Sequence, residues 1–203
     1  MDQNTLNKGL NTLSQLDPDL KKALAIHGKP NPRIRPQGFE TLLSTIISQQ
    51  ISTSAATAIT ARVRRLMPEC SAASLEKISN IELHQAGLSS RKIEYARGLA
   101  EAILAGRFNP ESLSTVDDEE AISQITSLRG FGQWSAEIYL MFSLGRTDIF
   151  PADDLALQVA LGRLKGLKER PTASLARQLV SHWSPWRSAG AIFLWHYYKE
   201  TPD

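Results

Sequence analysis

Apolar positions in this 203-residue chain recur every three to four residues, the spacing of helix faces. No segment alternates convincingly with the two-residue period of a strand. The pattern predicts an all-α protein of about ten short helices joined by loops of ordinary length. Start and stop signals delimit several of them. Asp17-Pro18 reads as a capping residue followed by proline at the first helical position, with a stop near Gly28. Residues 28–36, GKPNPRIRP, hold three prolines and read as an extended connection. FETLLSTIISQQ, from Phe39 to Gln50, is almost wholly apolar on one side and reads as a buried helix. Ser52 or Thr53 caps the next helix, which ends before Pro68. Ser89-Ser90 cap another, ending at Gly106. Asp117-Asp118-Glu119-Glu120 precede a helix whose N-terminus favours their charge. Thr172 opens a late helix, and Ser184-Pro185 opens the last, WRSAGAIFLWHYY. The chain is predicted to form one domain of two helical lobes, one of about 37–113, the other 1–36 with 114–203. The crossings fall near 28–36 and 110–117.

Composition narrows the class without choosing a function. Apolar content of 42% and charged content of 22% are ordinary for a soluble globular protein. The length permits one sizeable core or two small lobes sharing one. A formal charge of +2 is too small to argue for nucleic acid by itself. The single Cys70 rules out an intrachain disulfide and any all-cysteine zinc or iron–sulfur site. The four histidines, His27, His84, His182 and His196, lack metal-ligand spacing. MDQNTLNKGLNTL contains no signal-like apolar region, and no apolar run approaches the roughly 20 residues that span a bilayer. The expected setting is a reducing compartment, the bacterial cytoplasm and its nucleoid, or the nucleus if the source is eukaryotic. No membrane partner is expected, and a monomer suffices.

The segment from Thr126 to Leu157 carries the candidate chemistry. Leu128-Arg129-Gly130-Phe131-Gly132 opens directly into a helical pattern. Two glycines one residue apart let the backbone approach a ligand closely. The amides of such a turn, with the following helix N-terminus, form an anion site suited to a DNA phosphate. Phe131 is apolar and anchors the turn, Ser135 supports the first helical turn, and Arg129 and Gln133 add outward contacts. The same glycines also fit an ordinary helix–helix turn. Asp153-Asp154 precede LALQVALGRLKG, with apolar positions 155, 157, 159, 161 and 164. One of the two carboxylates is explained by capping. The other is left for function, at a helix terminus that favours negative charge. Together the hairpin and the acidic pair point to an enzyme acting on DNA.

These residues resemble a family. LRGFGQWSAE followed by FPADDLALQ is similar to the helix-hairpin-helix superfamily of DNA base-excision glycosylases, in its 3-methyladenine DNA glycosylase II (alkylbase) branch. GFETLLSTIISQQIS, GLSSRKIEYARGLA and SPWRSAGAIFLWHYY resemble further segments of that family, so the likeness covers roughly residues 15–200. Asp154 stands 22 residues after Gly132, in agreement with the alkylbase branch.

The resemblance implies two helical lobes with the active-site cleft between them. It gives Asp154 the place of the catalytic aspartate. Trp134 takes the hairpin position where family members with lyase activity carry lysine, which implies a monofunctional enzyme. Trp195 matches a second aromatic of the base pocket, and Tyr139 joins it as a candidate wall. Gln50 matches the wedge that fills the gap left by a flipped nucleotide. The hairpin residues Arg129, Gly130, Gly132, Gln133 and Ser135 become DNA contacts. The carbonyls of Thr126, Leu128 and Phe131 match positions that hold Na+ or K+ in relatives. No cofactor is required, and the family's four-cysteine iron–sulfur cluster cannot be built. The extra N-terminal β domain of some longer relatives is not expected, because few residues precede Phe39.

The implied partner is double-stranded DNA with damaged bases, and the implied reaction is hydrolysis of the N-glycosidic bond of alkylated purines such as 3-methyladenine and 7-methylguanine. Two alternatives stay open: a non-catalytic DNA-binding protein using the same hairpin, and a glycosylase for other damaged or mismatched bases. Arg33 and Arg35, Arg62-Arg64-Arg65 and Arg91-Lys92 are candidate phosphate contacts or solvated faces. Arg187 fits a carboxylate partner better than a phosphate, and Trp183 and Trp186 fit the core.

Overall fold

A computed structural model describes residues 1–201. Among these the chain forms twelve α-helices and two 3-10 turns, with no strand. Its contacts divide it into two compact units. One joins Met1–Ile34 to the segment from Leu140 onward, and the other is Arg35–Tyr139. The hairpin and the helix before it group with the middle unit, where the pattern-based division had set everything from residue 114 onward with the terminal lobe.

The terminal unit contains α1 (Gln3–Leu16), α2 (Pro18–His27), α10 (Leu155–Leu164), α11 (Ala173–Leu179) and α12 (Arg187–Glu200). Helix α1 lies in the polar-looking N-terminus, where the apolar pattern predicts no helix. Its spaced leucines Leu6, Leu10 and Leu13 are completely buried. Each such side chain contributes about 1.5–3 kcal/mol. Asp17 caps α2, accepting from the Asp19 and Leu20 amides, and Pro18 takes the first helical position as predicted. Helix α12 is the centre of this unit. Ser188 through Leu194 are buried, and the helix packs against α10 and α1. Close approach fixes two glycines. A Cβ on Gly9 of α1 would fall 2.8 Å from the Ala189 Cβ, and one on Gly190 would fall 2.3 Å from the Trp183 ring.

The start of α12 corrects one prediction. Ser184-Pro185 does not open the helix. The Ser184 hydroxyl donates to Asp148 at 2.8 Å, and the helix begins at Arg187. Arg187 does find its carboxylate: Nε and Nη2 donate to the two oxygens of Asp148, both at 2.8 Å. Trp183 is fully buried and Trp186 partly so.

The middle unit contains α3 (Phe39–Ser48), α4 (Thr53–Leu66), α5 (Ala72–Glu76), α6 (Asn80–Gln85), α7 (Ser90–Leu104), α8 (Asp118–Thr126) and α9 (Gln133–Phe142), the last crossing into the terminal unit. Ser52, Ser89 and Asp117 cap α4, α7 and α8 through their side chains, as the sequence predicts. The core packs Leu43 and Ile47 of α3 against Val63 of α4, Met67 just beyond it, and Ile93, Ala96 and Ala100 of α7.

Candidate functional site

Helix α8, the turn Ser127–Gly132 and α9 form a helix-hairpin-helix. Gly130 has φ +97, a backbone conformation that L side chains rarely adopt. A Cβ there would lie 2.4 Å from the Tyr95 ring, so both conformation and space demand glycine. Gly132 accepts the first bond of α9, from the Ala136 amide at 3.1 Å. Phe131 is buried beneath the turn, the anchor role expected of it. Its N–H donates to the Leu128 carbonyl at 3.1 Å. Arg129 pairs with Glu94. Gln133 donates to Glu137 at 3.0 Å, and Ser135 is buried at the start of α9.

A cavity of about 420 Å³ opens beside the hairpin within the middle unit. Its walls include Gly130, Gly132, Trp134, Ser135, Tyr95 and Gln50. Trp134 is 42% exposed, so its ring is a surface rather than core. Thus Trp134, Ser135, Gln50 and the two glycines, separated by some 80 positions in sequence, meet at one place. Tyr139 does not line this cavity. It is buried, and its phenolic oxygen accepts the Gly38 amide at 2.8 Å, where it fixes the start of α3. Burial pushes its pKa up, an effect partly offset by that amide.

The acidic pair sits in the terminal unit. Asp154 is itself the N-cap of α10: Oδ1 accepts the Leu157 amide at 3.0 Å and the Trp195 indole N–H at 3.1 Å. The carboxylate is half-buried. Asp153 is exposed and pairs with Arg177 at 3.1 Å. The sequence argument that one carboxylate caps and the other is spare is right in number but does not single out Asp154. The cap and the aspartate that the resemblance singles out are the same residue. Trp195 also packs against Phe142, with ring centroids 5.7 Å apart. Trp195 therefore orients the carboxylate, a relation hidden by a separation of 41 positions in the sequence.

Several basic residues offered as phosphate contacts have structural partners. Arg64 pairs with Glu40, the Arg62 Nε donates to the Ala86 carbonyl at 2.7 Å, and the Lys92 ammonium donates to the Ile47 carbonyl at 2.7 Å. No group of three or more His, Cys, Asp or Glu side chains suited to a metal occurs among the described residues.

Residues 43–185 match the HhH-GPD superfamily of base excision DNA repair proteins, and the chain belongs to that family. It is similar to the DNA-3-methyladenine glycosylase 1 of Schizosaccharomyces pombe, with 31% identity over 94% of this chain and 87% of that protein. Among solved structures, a DNA-3-methyladenine glycosidase from Bacillus halodurans superposes with a TM-score of 0.85 at 32% identity, over 94% of this chain and 88% of that one. A 3-methyladenine DNA glycosylase of S. pombe in complex with abasic DNA gives 0.82 at 29% identity, over 93% and 95%.

Proposed function

We propose that this protein is a monofunctional DNA glycosylase that hydrolyses the N-glycosidic bond of alkylated purines, of the 3-methyladenine and 7-methylguanine type, in base excision repair. The observation that carries this reading is the half-buried Asp154 carboxylate, whose Oδ1 accepts the Leu157 amide and the Trp195 indole. Bond cleavage builds oxocarbenium-like positive charge on the sugar. A carboxylate already oriented stabilises that charge without reorganising during the reaction. A purine alkylated at N3 or N7 is cationic and a good leaving group, so strong acid catalysis is not needed. The rings of Trp134 and Trp195 favour such a cation by about 0.5–2 kcal/mol over a neutral base. The glycosylases that the chain resembles act in this class, and the S. pombe structure holds abasic DNA, which is what base release leaves.

In this reading double-stranded DNA is held by the hairpin amides near Gly130 and Gly132, with Arg129, Gln133 and Ser135 beside them. Gln50 fills the gap left by the extruded nucleotide. Flipping costs a few kcal/mol, and least for a damaged base. Trp134 in place of a lysine supports hydrolysis without Schiff-base formation. The carbonyls of Thr126, Leu128 and Phe131 are the donors for a Na+ or K+ in the hairpin. The Leu128 oxygen already accepts the Phe131 amide, which leaves it one further lone pair. No other cofactor is called for, and one cysteine cannot supply four thiolates.

The test is base release from methylated duplex DNA, read by chromatography together with strand integrity and borohydride trapping. Free 3-methyladenine and 7-methylguanine with intact strands and no trapped adduct is the expected result. Binding without release would favour a non-catalytic hairpin protein, a reading that Asp154's capping role also fits. A trapped adduct would overturn the monofunctional assignment.

A further inference from the structure

The turn between α3 and α4 carries the only non-glycine residue with positive φ among the described residues, Gln50 at φ +55. Such a conformation is uncommon and persists where surrounding contacts over-determine it. Two side chains supply those contacts. The Gln49 Nε2 donates to the Gly130 carbonyl of the hairpin at 2.7 Å. The Lys92 ammonium, from the first turn of α7, donates to the Ile47 carbonyl at 2.7 Å. Ile47 lies in the last turn of α3, so the positive charge meets the carbonyl end of that helix. Tyr95, one turn further along α7, covers Gly130 so closely that no Cβ fits between them. Helix α7 thus grips the Gln50 turn with Lys92 and the hairpin with Tyr95, and Gln49 joins the two. Gln50 also stands in the common wall of two cavities, the hairpin cavity of about 420 Å³ and a smaller one of about 120 Å³ lined by Ser89, Arg91 and Lys92. Lys92 closes the segment Gly87–Lys92, one of those that resemble the family, and its bond to Ile47 gives that segment a structural role.

We infer that Gln49 and Lys92 are positioning residues that hold the Gln50 turn in its left-handed form, ready to fill the gap left by an extruded nucleotide, and tie it to the hairpin. The inference rests on the gap-filling reading of Gln50. Ordering the turn before DNA arrives removes a cost that would otherwise fall on the flipping step.

The experiment compares single-turnover excision of 7-methylguanine from two duplexes, one with the lesion paired to cytosine and one with it opposite a tetrahydrofuran abasic analogue. Flipping is cheaper in the second. Gln49→Met and Lys92→Met keep side-chain length but remove the donors. Each is expected to slow excision of the paired lesion about tenfold, with the loss shrinking below about threefold opposite tetrahydrofuran. Lys92→Arg should recover most of the rate. Adding either change to Gln50→Ala should slow the enzyme no further, because all three act through one turn. Wild-type rates for Gln49→Met and Lys92→Met beside a slow Gln50→Ala would overturn the positioning role alone. Equal losses on both duplexes, the mark of a general folding defect, would overturn it as well. A wild-type rate for Gln50→Ala would remove the gap-filling reading and the inference together.

Discussion

Two aspartates in the terminal unit hold the same local post and end with different chemistry. Asp17 caps α2 and Asp154 caps α10, and each accepts an indole N–H, from Trp183 at 2.8 Å and Trp195 at 3.1 Å. Around Asp17 the surroundings close. Both oxygens accept the Lys165 ammonium at 2.7 Å, and the residue is 1% exposed. Around Asp154 the carboxylate stays half-buried, and Oδ1 accepts from neutral donors. Capping plus an indole therefore does not define function. A carboxylate closed in by an ammonium on both oxygens is a lock, whereas one that stays half-buried remains within reach of a reacting centre.

The largest effect should come from Asp154→Asn. Asparagine caps a helix about as well as aspartate, so folding stability should change little. Excision of 7-methylguanine should fall about 10²–10³-fold or more. Retained excision in single-turnover assays would reduce Asp154 to a cap like Asp17. Asp17→Asn should do the reverse. It removes the main counter-charge of Lys165 and should cost about 3–5 kcal/mol by chemical denaturation. The activity of the molecules that remain folded should be close to wild type.

The indoles sharpen the contrast. Trp183→Phe strips one donor from a buried carboxylate and should lower stability by about 1–3 kcal/mol. Trp195→Phe should leave melting nearly unchanged and slow excision about tenfold, by loosening Asp154. If the two variants behave alike in both assays, the distinction between lock and site fails.

Acid and alkali test Asp17 further. Burial alone raises its pKa, but the Lys165 ammonium, the Trp183 indole and the Leu20 amide outweigh that and hold it below its ordinary value. The stability it confers is therefore complete above its unfolded pKa of about 3.9 and lost as pH falls through the lower folded value. For Lys165, burial lowers the pKa but Asp17 and Asp19 raise it overall. Its contribution is complete below about 10.4 and lost as pH rises through the higher folded value. Denaturation across pH should show both limbs in the wild type, and Asp17→Asn should flatten the acid one.

The smallest effect belongs to Asp153→Asn. It breaks an exposed pair with Arg177 and should change stability by no more than about 1 kcal/mol. Excision at the wild-type rate would show that the neighbouring carboxylate does not share the work of Asp154.

Much of this was legible in the chain. Serine, threonine and aspartate ahead of apolar periodicity marked the starts of α2, α4, α7, α8 and α11, because a cap satisfies amides within three residues of itself. The glycine pair marked the hairpin for a similarly local reason: the φ of Gly130 is a property of one residue. Helix α1 was missed although Leu6, Leu10 and Leu13 keep helical spacing, because polar neighbours lowered the apolar signal of the segment. The start of α12 was misplaced because Ser184 spends its hydroxyl on Asp148, 36 residues earlier, rather than on a helix amide.

The sequence by itself determined most of the helices, the caps of α2, α4, α7, α8 and α11, the hairpin and the family. Each of these rests on interactions between residues a few positions apart, or on a motif that survives as a string. Only the tertiary structure decided which aspartate is locked by Lys165 and which is oriented by Trp195, that Tyr139 holds the start of α3, and that Gln49 ties the Gln50 turn to Gly130. Those outcomes depend on partners 41 to 166 residues apart. Burial and hydrogen bonding between such partners come into being only when the helices pack, and no local pattern encodes them.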